Sequence, residues 1–122
     1  MEITGGAGDG ELLLAGSAEE LRRLAGLVSA GTGLLPAHGS LLGIEVRASA
    51  GGVLVAVDEE RSLLVIGGGD ARRAVFAEEL REIAALEDGS HFHIEHHPDH
   101  FYLAGGSLPL VVDSPHGGVP RR

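Results

Sequence analysis

The stretch from Ser62 to Leu86, SLLVIGGGDARRAVFAEELREIAAL, sets the architecture. Leu63 to Ile66 is apolar without a break, as in a strand covered on both faces. Gly67-Gly68-Gly69 ends that strand and Asp70 stands at a helix-capping position. Phe76, Leu80, Ile83 and Ala84 then recur at helical spacing over roughly 71–86, with Glu78, Glu79 and Glu82 turned away from that stripe. The same punctuation occurs earlier. Glu11 to Ala15 reads as a strand, and Ser17-Ala18-Glu19-Glu20 is a capping box in which Ser17 and Glu20 satisfy early backbone N–H groups reciprocally. Leu21, Leu24, Ala25 and Val28 follow at i, i+3, i+4 and i+7, and Gly31 stops the helix. The two units, 11–30 and 62–86, share punctuation without sequence identity, as an old duplication would leave.

Around them the chain reads as strands. Met1 to Thr4 is a short starter. Residues 31–43 are rich in Gly, Pro and Ser and read as a connection. Ile44, Val46, Ala48 and Ala50 alternate with Glu45, Arg47 and Ser49, a strand with one wet face. Gly51-Gly52 suits a two-residue hairpin turn into Val53–Val57. The turn Asp58-Glu59-Glu60-Arg61 then leads to Ser62–Ile66, completing an antiparallel meander whose last two strands are central. His91 to His97 forms a strand ended by Pro98, with Phe92 and Ile94 on one face and His91, His93 and Glu95 on the other. Leu108 to Val112 is the last strand. The expected order is β-β-α-β-β-β-α-β-β: an α+β fold with two helices on one face of a mostly antiparallel sheet. Residues 1–112 form one domain in this reading, and 113–122 a peripheral tail.

The composition of the 122-residue chain excludes several classes: 43% hydrophobic and 22% charged is globular, not disordered. No apolar run approaches the roughly 20 residues of a membrane span, and the N-terminus lacks a secretory pattern, so a cytoplasmic location is expected. The absence of cysteine removes disulfides and thiolate chemistry. A formal charge of −9 argues against a nucleic-acid partner. The glycine runs do not form a phosphate loop: the cluster at 5–10 precedes a strand, and Gly67-Gly68-Gly69 lacks the required spacing and is followed by Asp70. No GxSxG elbow is present. Neither an enzyme nor a cofactor is expected.

The acidic groups make sense as a surface field. Asp58, Glu59 and Glu60 project from a turn, and Glu78, Glu79 and Glu82 line one side of the second helix. Such a field serves solubility, or steers a basic partner towards the protein. Phe101 and Tyr102 are candidate anchors, because aromatic side chains dominate binding energetics; packing of their loop onto the sheet is the competing role. His91, His93, His97 and Glu95, in the His91–His100 cluster, offer an alternative, a small metal-binding protein or metalloenzyme with its metal on a strand face. Homodimerisation through an uncovered sheet face or an edge strand is a further reading.

The C-terminal third carries a more specific pattern. HFHIEHHPDHFYLAGGSLPLVV, from His91 to Val112, with the ending DSPHGGVP from Asp113 to Pro120, resembles a family of small actinobacterial proteins. These are immunity proteins of polymorphic toxin systems, family thirty-two. The resemblance implies an α+β protein made beside a toxin, which it inhibits by direct binding without catalysis of its own.

Overall fold

A computed structural model describes residues 1–6, 11–86, 91–100 and 102–113. Among these residues nine strands and two helices follow in the order β1 (Glu2–Gly6), β2 (Glu11–Ala15), α1 (Ala18–Ala30), β3 (Thr32–Pro36), β4 (His38–Gly39), β5 (Gly43–Ala48), β6 (Leu54–Asp58), β7 (Leu63–Gly68), α2 (Asp70–Ala85), β8 (His91–Ile94) and β9 (Leu110–Asp113). The fold is α+β. The strands form two mixed sheets where one mostly antiparallel sheet was expected, ordered β4-β1-β2-β9-β8 and β3-β5-β7-β6.

The two sheets share one plan. In the first, the antiparallel pairs β1–β2 and β8–β9 meet through a parallel contact of β2 with β9. In the second, the antiparallel pairs β6–β7 and β3–β5 meet through a parallel contact of β7 with β5. The half containing β1, β2, α1, β3 and β5 thus corresponds to the half containing β6, β7, α2, β8 and β9. Each sheet takes its first strand pair from one half and its second from the other. The correspondence reaches the edges: β1 pairs in parallel with β4, and Val53 beside β6 bridges in parallel to Leu103. The duplicated punctuation in the sequence therefore matches a duplicated topology.

The expected alternation holds over the first half of its strand and fails beyond it: Ala48 and Ala50 are exposed, and β5 ends at Ala48. Ile44 and Val46 are buried and Arg47 exposed, and the α1 stripe Leu21, Leu24, Ala25 and Val28 is wholly buried. Ser17 and Glu20 form the capping box, at 3.1 Å and 2.9 Å. Both helices and both sheets contribute to one continuous core, and α1 with α2 is the most extensive contact between elements.

Several expectations fail. The 31–43 connection contains β3 and β4, because pairing of Thr32–Pro36 with Gly43–Arg47 supplies a ladder that the glycines and proline disguise. Strands β5 and β6 do not form a hairpin: both flank β7, and β6 lies at the far side of the sheet, not at its centre. The link Ser49–Gly52 instead crosses the end of β7. Ser49 N–H donates to Gly68 O at 2.9 Å, Gly68 N–H to Ser49 Oγ at 2.8 Å and Gly69 N–H to Gly51 O at 2.9 Å. A Cβ on Gly68 (φ +130°) would lie 2.9 Å from the Gly52 carbonyl oxygen, so a side chain there would block the crossing. That is the work of the glycine run. Gly69, not Asp70, is the N-cap of α2. Strand β8 ends at Ile94, and Asp113, expected to open the tail, closes β9. Residues 114–122 lie outside the described residues.

Candidate functional site

Helix α2 buries Arg73, Phe76, Ala77, Leu80, Ile83 and Ala84. Its opposite side presents Ala74, Val75, Glu78, Glu79 and Glu82, which line an open groove of about 390 Å³. The spacing i, i+1, i+4, i+5, i+8 keeps these residues on one face. Two small apolar side chains therefore lie among three carboxylates. Arg81 approaches Glu78 at 3.7 Å and Ser29 Oγ at 3.4 Å, while Glu79 is half-buried and accepts a hydrogen bond from the Tyr102 hydroxyl.

Tyr102 is 1% exposed, so its ring is a core group and not a surface anchor. It stacks on Phe76 with centroids 5.4 Å apart and meets the His100 ring edge-on at 4.6 Å. Burial first, and then the bond to the Glu79 carboxylate, push the phenol far above its ordinary range, so it stays a donor. Its effect on the surface is indirect, through Glu79. Phe101, its expected companion, lies outside the described residues.

The loop around Tyr102 is pinned to the edge of β6. Val53 N–H donates to Tyr102 O at 2.7 Å, Ala104 N–H to Val53 O at 2.7 Å and Leu108 N–H to Val55 O at 2.9 Å. Ser107 Oγ accepts from Val55 N–H and donates to Val53 O, both at 3.1 Å. His100 Nδ1 accepts from the N–H groups of Tyr102 (3.3 Å) and Leu103 (3.1 Å). An acceptor at Nδ1 requires the unprotonated nitrogen. Burial, followed by nearby His97, accordingly lowers the pKa of this imidazole.

The second acidic group is partly committed within the molecule. Arg61 donates to Asp58 Oδ2 at 2.8 Å and to Glu45 Oε1 at 2.6 Å, and Arg47 reaches the same Glu45 oxygen at 2.8 Å. These bonds, foremost those from Arg61, hold Asp58 and Glu45 below the usual carboxylate range. Glu59 and Glu60 are exposed at the turn. The two acidic groups occupy separate elements.

The histidine row does not assemble a metal site. β8 stops at Ile94, so Glu95 and His97 leave the row begun by His91 and His93. His91 Nδ1 is engaged by Asp113, and the His97 ring lies 5.1 Å from that of His100. Among the described residues, no three His, Cys, Asp or Glu converge to hold a metal ion. No helix of the described residues is long and apolar enough to cross a membrane.

Sequence reasoning missed Arg73, which is 1% exposed. Its signal was available: the residue sits three before Phe76 and seven before Leu80, on the apolar stripe itself, where a cation demands partners.

Residues 64–115 match the family model of Immunity protein 32, a stretch spanning nearly all of β7 with α2, β8 and β9. The match bears out the family resemblance carried by the C-terminal motif. No curated protein and no solved structure matches the chain.

Proposed function

From the family match over residues 64–115, we propose that this chain is an immunity protein that neutralises a cognate toxin by direct binding. The match is the observation that carries the reading, and the α2 groove lies inside the matched stretch. Binding occludes the toxin in the cytoplasm, with no bond made or broken by the immunity protein. The chain's charge of −9 and the carboxylates of Glu78, Glu79 and Glu82 favour a basic toxin surface. Ala74 and Val75 between them give an arginine or lysine stem apolar surface to lie on. Glu59 and Glu60 add to the attraction at longer range.

The test is protection. A host expressing the toxin encoded beside this chain is expected to survive only with the chain present. Replacing Glu78, Glu79 and Glu82 together by Gln is expected to weaken the complex at least tenfold and to flatten its salt dependence. The Glu79→Gln change keeps an amide oxygen as acceptor for Tyr102, so folding is preserved. Full protection by the triple variant would remove α2 from the interface. Absence of any complex with the neighbouring toxin would remove the function.

A further inference from the structure

Strand β3 ends the second sheet, and among the described residues no strand pairs with its outer edge. Two bonds fix which of its backbone groups look outward. Ala48 N–H donates to Gly31 O, and Ala37 N–H to Leu42 O, each at 2.9 Å. With the register Thr32↔Arg47 to Pro36↔Gly43, the hydrogen-bonded positions of β3 are 33 and 35. Thr32 and Leu34 therefore point both N–H and C=O at the open edge, and Pro36 points its C=O alone.

Natural sheets usually guard such an edge with charge. Here the guard is absent. Leu34 is 60% exposed on the strand, and Leu42, at the end of the same hairpin, is 66% exposed. Residues 24–44 contain no Asp, Glu, Lys or Arg. The corresponding end strand of the other sheet, β8, places exposed His91 and His93 where β3 has Thr32 and Leu34.

We propose that the β3 edge is a homodimer seam, at which two copies pair antiparallel with Leu34 opposite Leu34 of the second copy. In that register Leu34 N–H and C=O bond reciprocally across the twofold axis. Thr32 N–H donates to the C=O of Pro36 of the second copy. Every outward N–H on both strands is then satisfied, and the missing donor of Pro36 leaves only Thr32 C=O to solvent. The four-stranded sheet becomes continuous with its copy. Charge selects this occupant. Copies that each carry −9 repel over most of their surface and can meet at an uncharged strand, next to which Glu45 is already paired with Arg47 and Arg61, whereas a basic partner is drawn to the carboxylates of α2. The seam is independent of the toxin reading.

Light scattering on the wild-type chain is expected to give a mass rising with concentration from 12.5 kDa towards twice that value. Leu34→Glu and Leu34→Arg, at an exposed position, are each expected to stay monomeric with unchanged circular dichroism. Mixing L34E with L34R is expected to restore the doubled mass, because position 34 faces itself. A wild type that stays at the monomer mass, variants that dimerise as well as wild type, or a mixture that stays monomeric would each overturn the proposal. So would a monomeric wild type whose L34E variant loses protection, which assigns the edge to the toxin.

Discussion

The Arg73 guanidinium of α2 donates to the Val28 carbonyl of α1 at 2.7 Å, closing the C-terminal end of one helix with a side chain of the other. It also donates to Ser29 O at 3.2 Å and Gly68 O at 2.8 Å, and it pairs with Asp70. The negative end of the α1 dipole and the carbonyls it leaves unpaired are what a buried cation needs. One side chain ties together α1, β7 and the first turn of α2. Arg73→Met is expected to destabilise the fold by about 3 kcal/mol, because three carbonyls lose their donor. Arg73→Lys should recover little, since an ammonium cannot reproduce the planar fork. Urea unfolding with an unchanged m-value measures this; a loss below about 1 kcal/mol would show that water replaces the guanidinium.

Gly31, the C-cap of α1, has φ +82°, and a Cβ there would lie 2.8 Å from Arg73 Nη1. Gly31→Ala is expected to cost more than about 1 kcal/mol. Combined with Arg73→Met, its cost should shrink, because the clash disappears with the guanidinium. Strict additivity in a double-mutant cycle would contradict the contact.

Ser17→Ala removes the acceptor of the Glu20 N–H and opens the capping box. The expected loss is about 1 kcal/mol, seen as a lower thermal midpoint.

Tyr102→Phe keeps the stack on Phe76 and removes the donor to Glu79. About 1 kcal/mol of stability should go, against about 3–5 kcal/mol for Tyr102→Ala, which empties a core site. Toxin affinity separates the two roles of the residue. If Tyr102 orients Glu79 for binding, Tyr102→Phe weakens the complex beyond what its stability loss explains.

His100 has a lowered pKa in the fold, so below the ordinary imidazole value of about 6.5 the unfolded chain takes up the proton more readily. The contribution to stability is complete above that pH and is lost as pH falls towards the folded-state value. Protonation would also turn Nδ1 from an acceptor into a donor facing the Tyr102 and Leu103 N–H groups. His100→Asn keeps an acceptor at that place and does not titrate. The difference in stability between the two proteins should therefore slope between about pH 7 and 5, a window above the lowered titrations of Asp58 and Glu45. A flat difference would mean that His100 takes its proton without disturbing the loop.

The helices were legible because their signals are local. The Ser17–Glu20 box and the stripes through Leu21 and Phe76 lie within a few turns of the residues they organise. The sheets were not, because a parallel partner such as β5 for β7 comes from outside the neighbourhood that periodicity samples. Gly51-Gly52 spells a hairpin locally, and the pairing of β7 with both flanking strands overrides it. The acidic face of α2 was readable from spacing. Tyr102 was visible as an aromatic, but its burial against Phe76 depends on a contact across 26 positions of the chain.

The exchange of strand pairs between halves has a consequence for how the molecule comes into being. During synthesis β1–β2 is complete long before β9 arrives to join it, so the second sheet can close once β7 is made while the first stays an unfinished ladder until β9 appears. If the backbone were cut in the Ser49–Gly52 link, each fragment would hold one strand pair of either sheet. Neither fragment could close a core by itself, and only recombination of the two pieces would restore the native state.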